Sequence, residues 1–334
     1  MTRQAKFALV TGGAGFIGSH LCDRLVADGA RVIVLDNLQT GRMANIEHLL
    51  GSGHFDFVRH DVVDDFPSMI AALPFTHIYH LACAASPDQY QADPEHTLLT
   101  NVLGTRNALR LAERTGARLL LTSTSEVYGD PEIHPQSEEY RGAVNCTGPR
   151  ACYDEGKRAA EALAFDFQRL GRAEVRVARI FNTYGPRMQA DDGRVVSNLV
   201  RQMLSGEEVT IYGEGTQTRG FCYVSDTVEG LLRLMDSDDA VGMPVNLGDP
   251  REMTVNHLAE LLVLMTGGGK RIVHLPLPQD DPRRRKPDIS RAREMLKWHP
   301  TIGLEDGLQA TIDWFQKELA RPDYAKPLLA TAAE

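Results

Sequence analysis

The sequence has few cysteines and no long apolar segment, and these two absences exclude several classes of protein. Its 334 residues include five cysteines, an odd number without a CxxC pair, so neither a disulfide framework nor a zinc knuckle is predicted. No apolar run approaches the roughly 18 residues that a membrane-spanning helix needs, and the first residues lead into a strand pattern without a signal-type apolar stretch. We therefore expect a cytoplasmic protein that is neither exported nor anchored.

Positive charge is also scarce. Lysine and arginine number 36 against 45 aspartates and glutamates, which gives a formal net charge of -9. Such a chain repels nucleic-acid phosphates and anionic lipid, so we expect no nucleic-acid and no membrane partner, although a small anionic ligand is compatible with the charge. With 43% hydrophobic and 24% charged residues, the composition is that of a globular protein with one or two domains.

Short runs rich in Val, Ile and Leu alternate with helix-like stretches through the first half of the chain. This alternation predicts right-handed βαβ units and therefore an α/β fold, a Rossmann doubly wound parallel sheet. The pattern becomes less regular after a further strand at 175–181, which predicts a smaller C-terminal α/β substrate lobe. We expect a first domain at 1–181, a lobe at 182–318 interleaved with it, and a flexible tail at 319–334. The predicted strands are 7–10, 32–35, 55–58, 77–80 and 119–122, and the predicted long helices are 94–114 and 149–170.

A glycine-rich turn follows the first predicted strand and leads into a helix pattern that begins at Phe16. Glycine permits the tight turn and leaves no Cβ between the backbone and a pyrophosphate, while the helix N-terminus faces the anion. Because strand, turn and helix occur in the required order, this segment predicts a dinucleotide site. The predicted contacts are Gly12, Gly15, Phe16, Ile17 and Gly18.

The choice of dinucleotide depends on Asp36, which ends the next strand 18 positions after Gly18. An acid there accepts hydrogen bonds from the adenosine ribose hydroxyls and disfavours a 2′-phosphate, so we predict NAD rather than NADP. Two alternatives stay open: Asp36 only caps a turn with Asn37, or Arg42 meets a phosphate. Asp61, after the third strand, is a further predicted adenine contact.

Tyr153 and Lys157 stand four residues apart in a helix pattern and so share one face. A tyrosine with a pKa of about 10 is a poor base, but a nearby ammonium and an oxidised nicotinamide favour the phenolate. Alone, this spacing also fits two surface residues of an ordinary helix. Upstream, however, the strand at 119–122 runs into the sequence STSE at 123–126, which places hydroxyls and a carboxylate at the sheet edge where ligands bind. The two segments together predict a catalytic site.

The residues that carry these motifs resemble a known family, the extended short-chain dehydrogenases/reductases of the nucleotide-sugar epimerase/dehydratase branch, over roughly residues 6–315. Within that branch, several segments resemble the UDP-glucuronate decarboxylases, also called UDP-xylose synthases. These segments are HLACAASP (80–87), LTSTSEVYGDP (121–131), CYDEGKR (152–158), ARIFNTYGPRM (178–188), DDGRVVSN (191–198) and RKPDIS (285–290).

The resemblance implies a redox-neutral decarboxylation of UDP-glucuronate to UDP-xylose. Tyr153, helped by Lys157 and the hydroxyl of Thr124, would oxidise C4 of the sugar while NAD takes the hydride. The resulting 4-keto acid would lose carbon dioxide, because the ketone accepts the electrons as an enolate. Protonation at C5 and re-reduction by NADH would then give UDP-xylose and restore NAD.

The same resemblance implies which residues handle the carboxylate. Glu126 and Arg219 would serve decarboxylation and proton handling, and Ser125 stands where related dehydratases carry an acid. We expect the pKa of Glu126 to be raised beside an anionic substrate. The alternative is a structural carboxylate that neighbouring hydroxyls satisfy.

The resemblance implies that Arg285 contacts the substrate. The rest of its basic run, at 283–286, is expected to be solvated.

No metal is expected, because His77 and His80 have no third ligand nearby in the sequence. The helices at 94–114 and 149–170 resemble those that pair in a homodimer. The implied cofactor contacts also include Asn37, Asp61, Val62, Leu81, Ala82, Asn101, Thr122, Tyr153 and Lys157, and the implied substrate contacts are Asn182, Val195, Tyr212, Arg219 and Arg285.

Two rival functions compete with decarboxylation. A UDP-glucuronate 4-epimerase, or another nucleotide-sugar epimerase or dehydratase, shares the C4 oxidation, and a non-catalytic dinucleotide sensor shares the fold. The set of Thr124, Tyr153 and Lys157 argues against the sensor. The Ser125–Glu126 pair argues against the epimerase.

Overall fold

The computed structural model describes residues 6–268 and 271–321. The strands in these ranges are β1 (Phe7–Thr11), β2 (Arg31–Asp36), β3 (Phe55–Arg59), β4 (His77–His80), β5 (Arg118–Thr124), β6 (Val175–Ile180), β7 (Thr183–Tyr184), β8 (Val209–Tyr212), β9 (Thr218–Gly220), β10 (Cys222–Tyr223), β11 (Pro244–Leu247), β12 (Glu252–Thr254), β13 (Ile272–Leu275) and β14 (Arg284–Arg285). The helices are α1 (Phe16–Ala27), α2 (Ser68–Ala71), α3 (Pro87–Ala92), α4 (Pro94–Leu99), α5 (Thr105–Thr115), α6 (Ala151–Arg169), α7 (Val195–Ser205), α8 (Val224–Asp236), α9 (Val255–Thr266), α10 (Ser290–Leu296) and α11 (Leu304–Leu319).

A parallel sheet of seven strands forms the centre of the molecule, in the order β11-β6-β5-β4-β1-β2-β3. Strands such as β1 (FALVT) and β5 (RLLLTST) are almost entirely buried, as expected when helices cover both faces of a parallel sheet. The strand order reverses between β1 and β4, and ligands of such folds bind at the carboxyl ends of the strands there. The predicted doubly wound α/β fold is confirmed.

Helices cover the two faces of the sheet. On one face α1, α8 and α10 contribute Leu21, Leu231 and Leu296 to a buried cluster. On the other face, α5 and α6 contribute Leu109 and Ala160. The helix predicted at 94–114 is α4 followed by a π-helical turn and α5, and the helix predicted at 149–170 is α6. Both predictions are confirmed to within a few residues at their ends.

The chain beyond β6 builds a second cluster of helices, in which α7, α9 and α11 pack around buried residues such as Leu199, Leu258 and Phe315. It also returns to the sheet, because the seventh strand, β11, comes from this part of the chain. The division into 1–181 and 182–318 stays a prediction. The predicted tail at 319–334 lies outside the described residues from position 322 onwards, and Leu319 still belongs to α11.

Two further features concern membrane-spanning helices and disulfides. Within the described ranges, no helix combines the length and the apolar character that crossing a membrane requires. The five cysteines are all free thiols.

Candidate active site

One large cavity follows the carboxyl edge of the sheet, from the glycine turn after β1 to Arg285 of β14. Every site residue predicted from the sequence lines this cavity except Asn101. The amide of Asn101 instead donates to the carbonyl of Thr97 (3.0 Å) and to Sγ of Cys83 (3.2 Å). Asn101 therefore supports the wall from behind, and its contact with the cofactor stays a prediction.

The glycine turn forms a cradle without side chains at one end of the cavity. A Cβ on Gly12, whose φ is +74°, would lie 2.8 Å from the amide nitrogen of Ala82, and a Cβ on Gly18 would lie 2.1 Å from the carbonyl oxygen of Gly12. The helix α1 begins after Gly15 without a side-chain cap, which leaves its first amides available to an anion. These residues fit the pyrophosphate of a dinucleotide.

Gly18→Ala tests this cradle. We expect the added methyl group to displace the turn, to lower the affinity for NAD at least about tenfold and to cost about 1–3 kcal/mol of stability through overpacking. Calorimetric titration with NAD and thermal unfolding measure the two effects. Gly29→Ala is the control for NAD affinity, because Gly29 has open space around it and lies outside the cavity; its positive φ (+81°) means that this variant also loses stability. Unchanged NAD affinity in Gly18→Ala would contradict the assignment of the cradle.

Asp36 supports the turn and also lines the cavity, and its contact with the adenosine ribose stays a prediction. Its carboxylate accepts hydrogen bonds from the amides of Ala14 (2.9 Å) and Leu38 (2.8 Å), and it also lines the cavity. Burial raises its pKa, although these two amides oppose the shift. Arg42 forms an ion pair with Glu318 and does not line the cavity, so it is not available to a 2′-phosphate. Both observations favour NAD.

Asp61 is held beside Asn37 at the same end of the cavity. Its carboxylate accepts from the amide of Asn37 (2.8 Å) and from the backbone of Val63 (3.0 Å), and it contacts Nε2 of His96 at 2.8 Å. Burial alone would raise the pKa of Asp61, but these hydrogen bonds together lower it. Asp61 therefore presents a carboxylate to the cavity, and its contact with adenine stays a prediction.

Tyr153 and Lys157 lie on the inner face of α6, both buried. The ring of Tyr153 stacks on Tyr90, with centroids 4.9 Å apart and planes within 3°, and its hydroxyl is hydrogen-bonded to Thr124. The ammonium of Lys157 lies 5.8 Å from the centre of the Tyr153 ring and donates to the carbonyl of Thr122 at 2.9 Å. The predicted pairing of the two side chains on one face is confirmed.

The pKa of Tyr153 differs from the expectation that Lys157 lowers it. Burial raises the pKa of Tyr153 well above its usual value, with the hydrogen bond from Thr124 as the opposing effect. Burial also lowers the pKa of Lys157. The expectation that Lys157 favours the phenolate is not met by these contacts, because its ammonium is directed at the carbonyl of Thr122 rather than at the phenol.

Glu126 lies between two arginines in the turn that follows β5. Nη2 of Arg150 and Nη2 of Arg285 each lie 2.7 Å from the same oxygen, Oε2, of Glu126, and all three residues are buried. Burial alone would raise the pKa of Glu126, but Arg285 and Arg150 outweigh it and lower the pKa. The sequence did not reveal these two guanidinium groups on one oxygen, which lower the pKa of Glu126 in this arrangement, and the rise expected beside an anionic substrate stays a prediction.

Arg219 occupies the same region but is committed to other partners. Its guanidinium donates to Asp281 (3.0 Å) and to the carbonyls of Pro282 (2.6 Å) and Thr218 (2.9 Å), not to Glu126. Burial lowers its pKa to about 10, so it remains a cation. Three arginines therefore face the two carboxylates of Glu126 and Asp281, and these five side chains keep one positive charge. That charge suits an anionic substrate.

The remaining predicted residues lie along the substrate end of the cavity. In the basic run at 283–286, Arg285 is buried and lines the cavity, Arg283 and Arg284 are exposed, and Lys286 is half-buried, so the solvated interpretation is confirmed for two of the other three residues. Tyr212 lies at the rim, 39% exposed, and Val195 begins α7. The side chain of Asn182 lies 3.5 Å from Nη1 of Arg285. Among the described residues, no group of three or more His, Cys, Asp or Glu side chains is placed to hold a metal.

Around Tyr153 and Glu126, the sequence did not predict Tyr90, Arg150 and Asp281, which also line the cavity. Arg150 stands three positions before Tyr153, so helical spacing alone offered a signal that it lies near the same edge. Tyr90 and Asp281 come from segments without a chemical pattern, and only the tertiary structure brings them to the cavity.

Comparisons with known proteins agree with this geometry. Residues 8–248 match the model of the family described as NAD dependent epimerase/dehydratase. UDP-glucuronic acid decarboxylase 1 of Xenopus tropicalis is 55% identical over 317 residues, which cover 95% of this chain and 74% of the relative. UDP-glucuronic acid decarboxylase 1 of Arabidopsis thaliana is 53% identical over 320 residues, 96% of this chain and 72% of the relative. The structure of UDP-glucuronic acid 4-epimerase from Bacillus cereus, in complex with UDP-glucuronic acid and NAD, superposes with a TM-score of 0.85 at 28% identity, covering 93% of this chain and 99% of the epimerase.

Proposed function

The chain belongs to the NAD-dependent epimerase/dehydratase family, and from this premise we propose that it decarboxylates UDP-glucuronate to UDP-xylose. The observation that carries the proposal is the buried group of Arg150, Glu126 and Arg285 in the same cavity as Tyr153. Relatives named UDP-glucuronic acid decarboxylase are more than 50% identical over about 95% of the chain, whereas the solved 4-epimerase is 28% identical. Both comparisons favour loss of the carboxylate over its retention.

The first step is oxidation at C4 of the sugar. The glycine cradle and Asp36 would hold NAD, which when bound would supply the hydride acceptor for this oxidation and the hydride donor for the final reduction. Tyr153 takes the proton of the C4 hydroxyl, because its phenol is the group in the cavity that is hydrogen-bonded to Thr124 and placed one helical turn from a cation. Thr124 orients that phenol, and the ammonium of Lys157, anchored on the carbonyl of Thr122, places a positive charge 5.8 Å from the centre of the phenol ring.

The second step is loss of the carboxylate from the 4-keto acid. The excess positive charge around Arg150, Arg219 and Arg285 attracts the C5 carboxylate of the sugar. When carbon dioxide leaves, its electron pair moves to the C4 oxygen, where the hydroxyls of Tyr153 and Thr124 stabilise the enolate. A proton is then added at C5, so each turnover takes up one proton from the solvent.

Product analysis tests the proposal directly. The purified protein is incubated with NAD and UDP-glucuronate labelled with ¹³C throughout the sugar, and products are followed by NMR. We expect labelled carbon dioxide and UDP-xylose in equal amounts. UDP-galacturonate without carbon dioxide would show a 4-epimerase instead, and saturable NAD binding without turnover would show a dinucleotide sensor.

We also propose that the protein is a cytoplasmic homodimer. The packed helices α4 and α6 leave apolar side chains partly exposed, among them Leu98 (39% exposed), Ala159 and Leu163, and a second copy is the partner that would cover both helices. The five free cysteines fit a reducing compartment. Light scattering of wild type and Leu163→Glu tests the dimer, which we expect the variant to weaken, and cell fractionation tests the location.

A further inference from the structure

Three consecutive residues at the carboxyl end of β5 are each hydrogen-bonded to α6. The pairs are Thr122 with Lys157 (2.9 Å), Ser123 with Glu161 (2.5 Å), and Thr124 with Tyr153. The three helix residues are four positions apart and therefore lie on one face of α6. The first and third pairs belong to the reaction described above, whereas Glu161 has no role in it and does not line the cavity.

Arg179 of β6 fixes the orientation of the Glu161 carboxylate. Its Nε donates to Oε1 of Glu161 at 3.0 Å and its Nη2 donates to Oε2 at 2.8 Å, a two-point contact between planar groups. Arg179 also lies directly opposite Ser123 in the pairing of β5 with β6. Because Ser123 and Glu161 are both buried, water does not compete for their hydrogen bond. The position of Ser123 between the sheet and α6 is therefore set by this acceptor.

Arg179 extends this support to the turn that carries Glu126. Its Nη1 donates to the hydroxyl of Tyr128 at 3.0 Å, and that hydroxyl donates to Oδ1 of Asn246 on β11 at 2.8 Å. Tyr128 and Asn246 are both buried, and Tyr128 is the last residue of the turn after β5. The segment at 123–128, which contains Glu126, is therefore held at both of its ends by one connected set of buried hydrogen bonds.

We propose that Glu161 is a positioning residue for the oxidation at C4, acting through Ser123 to align Thr124 with Tyr153. This inference rests on the proposed function. Ser123 precedes Thr124 in the chain, so a displaced Ser123 carries with it the hydroxyl that orients the phenol. A misplacement of about 1 Å can cost about 10²-fold in rate even when the changed residue is far from the reacting atoms. Glu161 itself exchanges no proton and does not contact the substrate.

The test compares Glu161→Gln with a matched control, Asp226→Asn. Glutamine replaces one oxygen of Glu161 with an NH2 group, which cannot accept from Arg179, so the acceptor for Ser123 is no longer held in place. Asp226 of α8 is likewise a buried carboxylate that accepts from a hydroxyl, that of Thr301 at 2.8 Å, but it lies outside the cavity. Both variants leave buried donors without a charged acceptor, so both should lower Tm.

The two variants should differ in rate. Each protein, loaded with NAD and kept well below its Tm, is mixed with saturating UDP-glucuronate, and the absorbance of reduced cofactor is followed. We expect Glu161→Gln to slow the rise at least about tenfold. KM for UDP-glucuronate and, by calorimetric titration, the affinity for NAD should each stay within about twofold of wild type, because the loss arises in the transition state. Asp226→Asn should match wild type in all three measurements.

Ser123→Ala tests the same contact from the other side. It removes the hydroxyl and leaves the pair of Glu161 and Arg179 in place, so we expect it too to slow the rise, by at least about threefold. The double variant should be no slower than Glu161→Gln alone, because each change removes the same hydrogen bond. A multiplied effect of the two changes would contradict the inference.

Three further results would overturn the inference. They are a rise at the wild-type rate in Glu161→Gln, an equal slowing in Asp226→Asn, and a higher KM with unchanged kcat in Glu161→Gln. If Glu161→Gln does not fold, Ser123→Ala decides the matter, because a wild-type rise in that variant overturns the inference and a slowed rise supports it. Failure of the proposed function is distinguishable, because wild type would then produce no UDP-xylose at all.

Discussion

Replacing Tyr153 with phenylalanine should lower turnover by about 10²–10⁴-fold, the range expected when a positioned acid–base group is lost. The phenol is hydrogen-bonded to Thr124 and is the group that takes the proton of the C4 hydroxyl, so its removal leaves no base for that step. The ring remains, and with it the stacking on Tyr90, so the affinity for NAD should stay within about twofold. Stopped-flow absorbance should show almost no reduced cofactor on mixing with UDP-glucuronate.

Tyr184→Phe provides the matched control for this change. It removes the same atom from another buried tyrosine, whose hydroxyl donates to the carbonyl of Leu304 at 3.1 Å outside the cavity. This variant should lose about 1 kcal/mol of stability and keep its turnover. The assignment of Tyr153 fails if Tyr153→Phe retains more than about a tenth of wild-type turnover.

Replacing Glu126 with glutamine should separate oxidation from decarboxylation. Reduced cofactor should still form on mixing, because Glu126 is not bonded to Tyr153. Carbon dioxide release should slow by about 10²-fold, because the family resemblance assigns Glu126 to proton handling during decarboxylation and glutamine cannot exchange a proton. The two guanidinium groups now share Oε2 of Glu126, and without that charge they are freer to bind the substrate carboxylate. We therefore expect KM for UDP-glucuronate to fall or stay constant while kcat falls.

The measurement is rapid-quench release of ¹⁴C-labelled carbon dioxide alongside the absorbance of reduced cofactor. Glu138→Gln is the control, since Glu138 is a half-buried carboxyl outside the cavity that accepts from the backbone of Asn246 at 2.9 Å. Carbon dioxide release at the wild-type rate in Glu126→Gln would remove Glu126 from the mechanism. Loss of the first phase would assign it to oxidation instead.

The structural features that the sequence predicted are those with a local pattern of residues. The doubly wound sheet followed from apolar runs at regular intervals, and the cradle from glycines placed between a strand and a helix. Tyr153 and Lys157 were predicted to share a face because α-helical spacing fixes which residues are neighbours. In each case the pattern lies within one short segment of the chain, so it can be read without knowing which distant segments pack against it.

The parts that sequence missed depend on contacts between distant segments. Glu126 is 159 positions from Arg285, and nothing in either segment indicates that their side chains meet at 2.7 Å. Arg150 joins the same oxygen, and so the pKa of Glu126 is lowered where the sequence suggested a rise. The charge state of a buried acid is a property of all its neighbours, and only the folded structure lists them.

We infer that NAD is reused within each turnover, and counting the molecules of carbon dioxide released per NAD tests this most directly. The protein, freed of bound cofactor, is supplied with NAD equal to its own concentration and a large excess of UDP-glucuronate. We expect many molecules of carbon dioxide for each NAD, equal amounts of UDP-xylose, and no net accumulation of NADH. Release of carbon dioxide that stops after one molecule per NAD, with NADH left in solution, would contradict the account.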